Sequence, residues 1–214
     1  MHKPTLALLI GLAFILQPGR AVAQVNDIHS VSIRIHDYAR TPRESIEWAQ
    51  KYVAALYARI DVHIAWRRAV RPNEWRVHFR DRDPGELLIN ILPPAMSRHL
   101  EVTEETLGVA AVTQFDGGTV AYVLSDRICD VATTSQINAA DVLAVVIAHE
   151  LGHLLLPAGS HSPSGLMRPA LTADDFKPLN QQQLNFTSAQ ADAIRGMISR
   201  RPSSAAVSLQ TAGQ

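Results

Sequence analysis

One stretch constrains this chain more than any other: Asp141 to Pro169, DVLAVVIAHELGHLLLPAGSHSPSGLMRP. At its centre is HELGH, with His149, Glu150 and His153; His161 follows eight residues later and Met167 six after that. On a helix, residues four apart share a face, so His149 and His153 present two imidazoles to one point. Glu150 sits one residue round from His149. Two neutral imidazole nitrogens suit Zn²⁺, and a neighbouring carboxylate suits a general base acting on metal-activated water. The rest of the helix pattern is apolar. Two histidines and a glutamate buried there with nothing to bind would carry a desolvation cost. His161 offers the third ligand that a catalytic zinc takes, with a fourth position left for water.

Other ligand sets narrow the choice. No glutamate follows Glu150, which removes a site completed by a downstream glutamate. Asp174 and Asp175 remain the rival for the third ligand, their other reading being caps at a helix or turn. A Ser-His-Asp triad built from Ser160 or Ser162, His161 and Asp174 lacks the GxSxG elbow such a site uses. His29, His36, His63, His78 and His99 are scattered and read as solvent-facing or locally bonded, since clustering marks a metal site.

Before this region the chain opens on a targeting pattern. His2 and Lys3 precede an apolar run, Leu6 to Leu16; Pro18 and Gly19 break it, and Ala21-Val22-Ala23 precedes Gln24. This predicts a signal peptide over 1–23, cleaved near Ala23-Gln24, and a secreted or periplasmic product with no membrane anchor left after cleavage. No cysteine follows the run, which argues against a lipoprotein anchor. Residues 24–200 are expected to form one catalytic domain, and 201–214, small and polar, a disordered tail. The chain has 20 basic and 20 acidic residues, so no charge excess asks for nucleic acid. Its one cysteine, Cys129, excludes an intramolecular disulfide and is expected to be a buried small hydrophobe.

In chain order, VSIRIHDY (31–38) alternates as a half-buried strand. Arg43 to Arg59 reads as an amphipathic helix, with Thr41 as cap, Pro42 at the first helical position and Glu44 three residues after the cap. DVHIAWR (61–67) alternates again, so strand, helix and strand suggest a parallel pair with a crossover helix. WRVHF (75–79) reads as a short strand and ELLINIL (86–92) as a buried central one. Gly108 to Val112 and Thr119 to Leu124 are β-type runs around the turn signal Phe115-Asp116-Gly117-Gly118. One of them is expected to edge the sheet over the cleft. Asn138 is the expected cap of the HELGH helix, which must end before Pro157. Thr187 with Gln190 is a capping-box pattern before a final helix, Ser188 to Ser199.

At these residues the sequence resembles the metzincin branch of zinc metallopeptidases. His149, Glu150, Gly152 and His153 match its first motif, and HSPSGLMRP (161–169) is similar to the matrixin run from the third histidine through the methionine turn. Leu156 stands where that family has its turn glycine. The third histidine comes two residues late, with Gly159 at the family's position. The resemblance implies that Met167 packs beneath the metal without binding it. It also implies an α+β fold of zincin type. That fold has a mixed, mostly parallel twisted sheet with an antiparallel edge strand, a crossover helix, an active-site helix and a small C-terminal subdomain ending in a helix. The expectation is a monomeric zinc metalloendopeptidase acting on a peptide or protein that pairs with the edge strand. A zinc-stabilised binding protein without turnover and a non-peptidase zinc amidohydrolase are the alternatives; a purely structural zinc has no use for Glu150.

Overall fold

The computed structural model describes residues 29–67, 85–113 and 117–201. The expected signal peptide, the 75–79 strand, His78 and residues 115–116 of the turn lie outside them, as does the expected tail beyond Arg201.

Five strands form one sheet in the order β2-β1-β3-β5-β4. β1 (His29–Asp37) pairs in parallel with β2 (Val62–Trp66) and with β3 (Leu87–Leu92). β3 pairs in parallel with β5 (Gly117–Leu124), and β4 (Gly108–Thr113) closes the edge antiparallel to β5. This is the mixed, mostly parallel sheet with an antiparallel edge that the sequence implied. In β1, Val31, Ile33 and Ile35 are buried while Ser32 and Arg34 are not fully so, the period of two that marks a strand with one packed face. β3 lies at the centre of the sheet, and Leu87, Ile89 and Ile91 are fully buried.

The crossover helix α1 (Arg43–Ala58) buries Ala49, Val53, Leu56 and Tyr57. Its expected cap does not form: Pro42 takes the cap position, and the Thr41 hydroxyl donates to the Asp37 carboxylate at 3.1 Å. The Asp37 carboxylate at the end of β1 takes the hydroxyl proton and turns the Thr41 side chain toward the strand. A four-residue helix, α2 (Pro94–Ser97), begins where the prolines stop β3. Gly117 and Gly118, read as turn, are the first residues of β5.

Helix α3 (Ser125–Ser135) has no counterpart in the sequence reading. It buries Ile128 and Ala132, and Val131 packs against the core beside them, a narrow stripe at helical spacing. Cys129 lies on its outer side and is exposed, which corrects the buried reading. The helix ends at Gln136 in the left-handed region, φ 53°.

The HELGH helix α4 (Ala139–Leu155) follows at once, its first free N–H groups capped by Asn138, whose side chain accepts from Ala140 N at 2.9 Å. Almost every residue from Ala140 to Leu155 is buried, which places α4 under the sheet rather than at the surface. Two polar bonds fix it to α1. Trp48 Nε1 donates to Asp141 Oδ1 at 2.8 Å, and the fully buried Tyr57 hydroxyl donates to the Ala148 carbonyl at 3.1 Å. α4 ends at Leu156, before Pro157, as expected.

The remaining chain forms a 3₁₀ turn (Ala173–Phe176), a short helix α5 (Pro178–Gln181) and a final helix α6 (Ser188–Arg200). The capping box expected at Thr187 and Gln190 is present. Arg59 donates to Gln182 O, and Arg195 to Ile60 O, so this segment closes against the end of α1. Arg201, assigned to a loose tail, is instead tied down. Its Nη2 donates to Gly118 O at 2.7 Å and to Leu154 O at 3.0 Å, joining β5 to the last turn of α4.

Candidate metal centre

The last two turns of α4 carry His149, Glu150 and His153, and the loop after Pro157 returns to them. Gly159 takes φ 76°, Ser160 Oγ donates to Pro157 O at 2.5 Å, and His161 follows facing the helix. His153 Nε2 lies 3.1 Å from His149 Nε2 and 3.2 Å from His161 Nε2. The ligand atoms of the three residues all lie within 4.8 Å of one another, the one such group among the described residues. Three nitrogens each ~2.05 Å from a tetrahedral zinc stand about 3.4 Å apart, close to the two spacings from His153, and three imidazoles are a donor set that suits the ion. The late position of His161 therefore does not keep it from the other two: the Pro157–Ser160 turn spans the extra residues.

A neighbouring bond orients the first imidazole. His149 Nδ1 lies 2.8 Å from the Leu166 carbonyl, which can only accept, so Nδ1 carries the proton and Nε2 presents its lone pair to the cluster. Leu166 is held in turn, its N–H donating to Asn185 O at 3.0 Å. Met167 is fully buried directly under the helix. A Cβ on Gly152 would come 2.3 Å from Met167 Sδ, so the glycine inside HELGH is what lets the methionine approach.

Glu150 is 5% exposed, and its Oε2 has no hydrogen-bond partner. The edge strand covers it: a Cβ on Gly108 would meet Glu150 Cγ at 2.7 Å. Burial raises its carboxyl pKa to about 8. Burial also lowers His153, to about 4, with the neighbouring His149 and His161 adding to the shift. His149 is lowered for the same first reason, and the other histidine His161 adds to it against the bond to Leu166. Two imidazoles that burial keeps neutral are suited to hold a metal ion, and a carboxyl that resists ionising beside them is suited to exchanging protons near neutral pH.

The site opens into a cleft of about 510 Å³ between β4 and the segment after Met167, lined by Leu107, Val109 and Val146 on one side and Arg168, Pro169 and Leu171 on the other. Asp174 and Asp175 face elsewhere. Asp174 pairs with Lys177 at 2.6 Å. Asp175 accepts from the Thr172 N–H at 2.7 Å and hydroxyl at 2.8 Å, as a capping box, and pairs with Arg168. Partial burial works to raise its pKa, but these bonds outweigh it and hold the carboxyl below its ordinary value. The serine triad is not assembled: the Ser160 and Ser162 hydroxyls donate to Pro157 O and Ser164 O. His63 Nδ1 meets Ser30 Oγ at 3.3 Å and His29 Nδ1 meets Ser199 Oγ at 3.1 Å, so both are occupied away from the three-histidine group. Two contributors escaped the sequence reading, the Leu166 carbonyl and Gly108. A glycine opening a predicted edge strand was the available signal for the second.

No protein-family model and no curated protein sequence matches the chain. Among solved structures it is similar to archaemetzincin from Methanopyrus kandleri, with a TM-score of 0.52 and 12% identity over 82% of this chain and 99% of that one. It also matches metalloproteinase-II from Bacteroides fragilis, with a TM-score of 0.49 and 11% identity over 80% of this chain and 53% of that one. The first likeness shows that the chain shares the overall fold of archaemetzincin. At this identity it establishes the fold alone.

Proposed function

We propose that the chain is an exported zinc-dependent metalloendopeptidase, with His149, His153 and His161 as metal ligands and Glu150 as general base. The observation that carries this reading is the convergence of three Nε2 atoms at the floor of an open cleft, beside a buried carboxylate oxygen with no partner. A structural zinc site is closed by four protein ligands, whereas three and an open side suit catalysis. Zinc held there would polarise a peptide carbonyl and acidify a water.

The protein's own groups supply the rest. Glu150 takes the proton from the attacking water and passes it to the leaving amine, a role its burial prepares. Met167 fixes the floor without binding. β4 stands last in the sheet order, so among the described residues no strand pairs with its outer edge, and that edge takes an extended peptide as a further strand. The apolar cleft wall at Leu107, Val146 and Leu171 then receives a side chain. Residues 24–200 form the catalytic domain, and 1–23 direct export. No helix among the described residues is long and apolar enough to cross a membrane.

Metal analysis of the purified mature chain, beside peptide-library cleavage by wild type and Glu150→Gln, tests the proposal. Zinc at one per chain and a loss of about 10²–10⁴ in kcat for the variant are expected. Cleavage that survives the substitution overturns the mechanism. Zinc bound with no cleavage of any peptide favours the binding-protein alternative.

A further inference from the structure

We propose that Gln190 is a positioning residue for His161, tethering the loop that carries it to the final helix; this rests on His161 being a metal ligand. His161 is the exposed member of the cluster and sits on a loop, whereas His149 and His153 are fixed by α4. A loop ligand binds well only if its backbone is held, because otherwise ordering it costs affinity.

The loop is held on both sides of His161. On the C-terminal side, Ser162 N donates to Met167 O at 2.8 Å. On the N-terminal side, Gln190 Nε2 donates to the carbonyl of Ser160, the residue next to His161, at 3.0 Å. The Ser160 hydroxyl bonds only back to Pro157 within the turn, so the Gln190 bond is the one that reaches in from another element. Gln190 is itself 8% exposed and both ends of its amide are engaged: Oε1 accepts from Thr187 N at 3.0 Å. One carbonyl and one N–H fix which end of the amide faces which partner. α6 is anchored in turn by Arg195 to Ile60 O.

The chemistry separates two jobs that one side chain performs. A capping box works with Glu as well as Gln, since only an acceptor is needed. The bond to Ser160 needs the amide N–H₂, which Glu lacks. Gln190→Glu therefore keeps the cap and cuts the tether. Thr187→Ala does the reverse, removing the hydroxyl that accepts from Gln190 N while leaving the amide on Ser160.

The experiment measures zinc dissociation constants by chelator competition, and melting temperatures of the metal-free proteins. Gln190→Glu should weaken zinc binding about 10-fold or more, the scale for groups that orient a ligand, with the melting temperature little changed. Gln190→Met, neutral and of similar size, should weaken it likewise, excluding the added charge as cause. Thr187→Ala should lower the melting temperature and leave zinc affinity near wild type. His161→Ala sets the full loss. Wild-type affinity in Gln190→Glu, or equal weakening in Thr187→Ala, overturns the tether while leaving the metal site intact. Wild type that binds no zinc, or His161→Ala that binds it normally, overturns the metal reading and the tether with it.

Discussion

His149 and Leu166 are joined by a 2.8 Å bond from imidazole Nδ1 to backbone carbonyl, across seventeen residues of chain. The bond makes the segment before Met167 responsible for the tautomer of a helix histidine. Met167 reaches its place only because Gly152 has no side chain. The methionine floor and His149 are therefore one mechanical unit.

Gly152→Ala tests that unit. The added methyl would meet Met167 Sδ at 2.3 Å, so the floor must shift and Leu166 with it. Overpacking of this kind costs about 1–3 kcal/mol, and a disturbed ligand partner typically weakens metal binding 10–100-fold. Denaturant melts of the metal-free protein and zinc competition report the two effects separately. A variant with normal values of both would show that the contact has no role.

Above about pH 6.5, where His153 is neutral in both states, the metal-free protein should become less stable as pH rises. Glu150 has its folded pKa raised from 4.5 to about 8. Its contribution is therefore fully present below about pH 4.5 and lost as pH climbs through 8. His153 runs the other way: lowered from 6.5 to about 4, its contribution is present above 6.5 and lost as pH falls through 4. Glu150→Gln isolates the first term. It should leave stability near wild type at pH 4.5 and exceed wild type by up to about 4 kcal/mol at pH 8, at ~1.4 kcal/mol per unit. Chelator-treated samples melted across that range check it, and a difference independent of pH would reject the cause.

Zinc content should fall in His161→Ala and stay at wild-type level in Asp174→Ala with Asp175→Ala. The aspartate pair should instead lose about 1 kcal/mol of stability, because Asp175 caps Thr172. Elemental analysis after dialysis, with one melt per variant, distinguishes the two. Zinc lost with the aspartates would transfer the third ligand to them.

Tyr57→Phe removes the hydroxyl bonded to Ala148 O, one residue before His149. The expected loss is about 1 kcal/mol, because Ala148 O keeps a helix partner and nothing is left unsatisfied. Urea melts read it directly.

The elements that the sequence revealed are those whose signals are local. α4 carries its own cap at Asn138, its stop at Pro157 and its ligand spacing within some twenty residues. β1, α1 and β2 show their periods openly, and Thr187 with Gln190 announces α6. What stayed hidden depends on partners far along the chain. α3 went unread although Ile128, Val131 and Ala132 keep helical spacing, because the stripe is short and polar residues surround it, and Cys129 on its outer side misled a reading based on residue type. Thr41 looked like a cap because nothing in the sequence places the Asp37 carboxylate beside it. The partner of His149 is a carbonyl, which any residue type would supply.

Arg201 gives the fold a sense of sequence in time. Its guanidinium clasps Gly118 and Leu154, 83 and 47 residues earlier in the chain. A polypeptide emerges N-terminus first, so the HELGH helix and all three histidines exist before the clasp that pins the helix end to the sheet. Assembly of the cleft therefore waits on a residue made well after its walls, and a fragment ending short of Arg201 holds His149, His153 and His161 without the fastening that sets their frame.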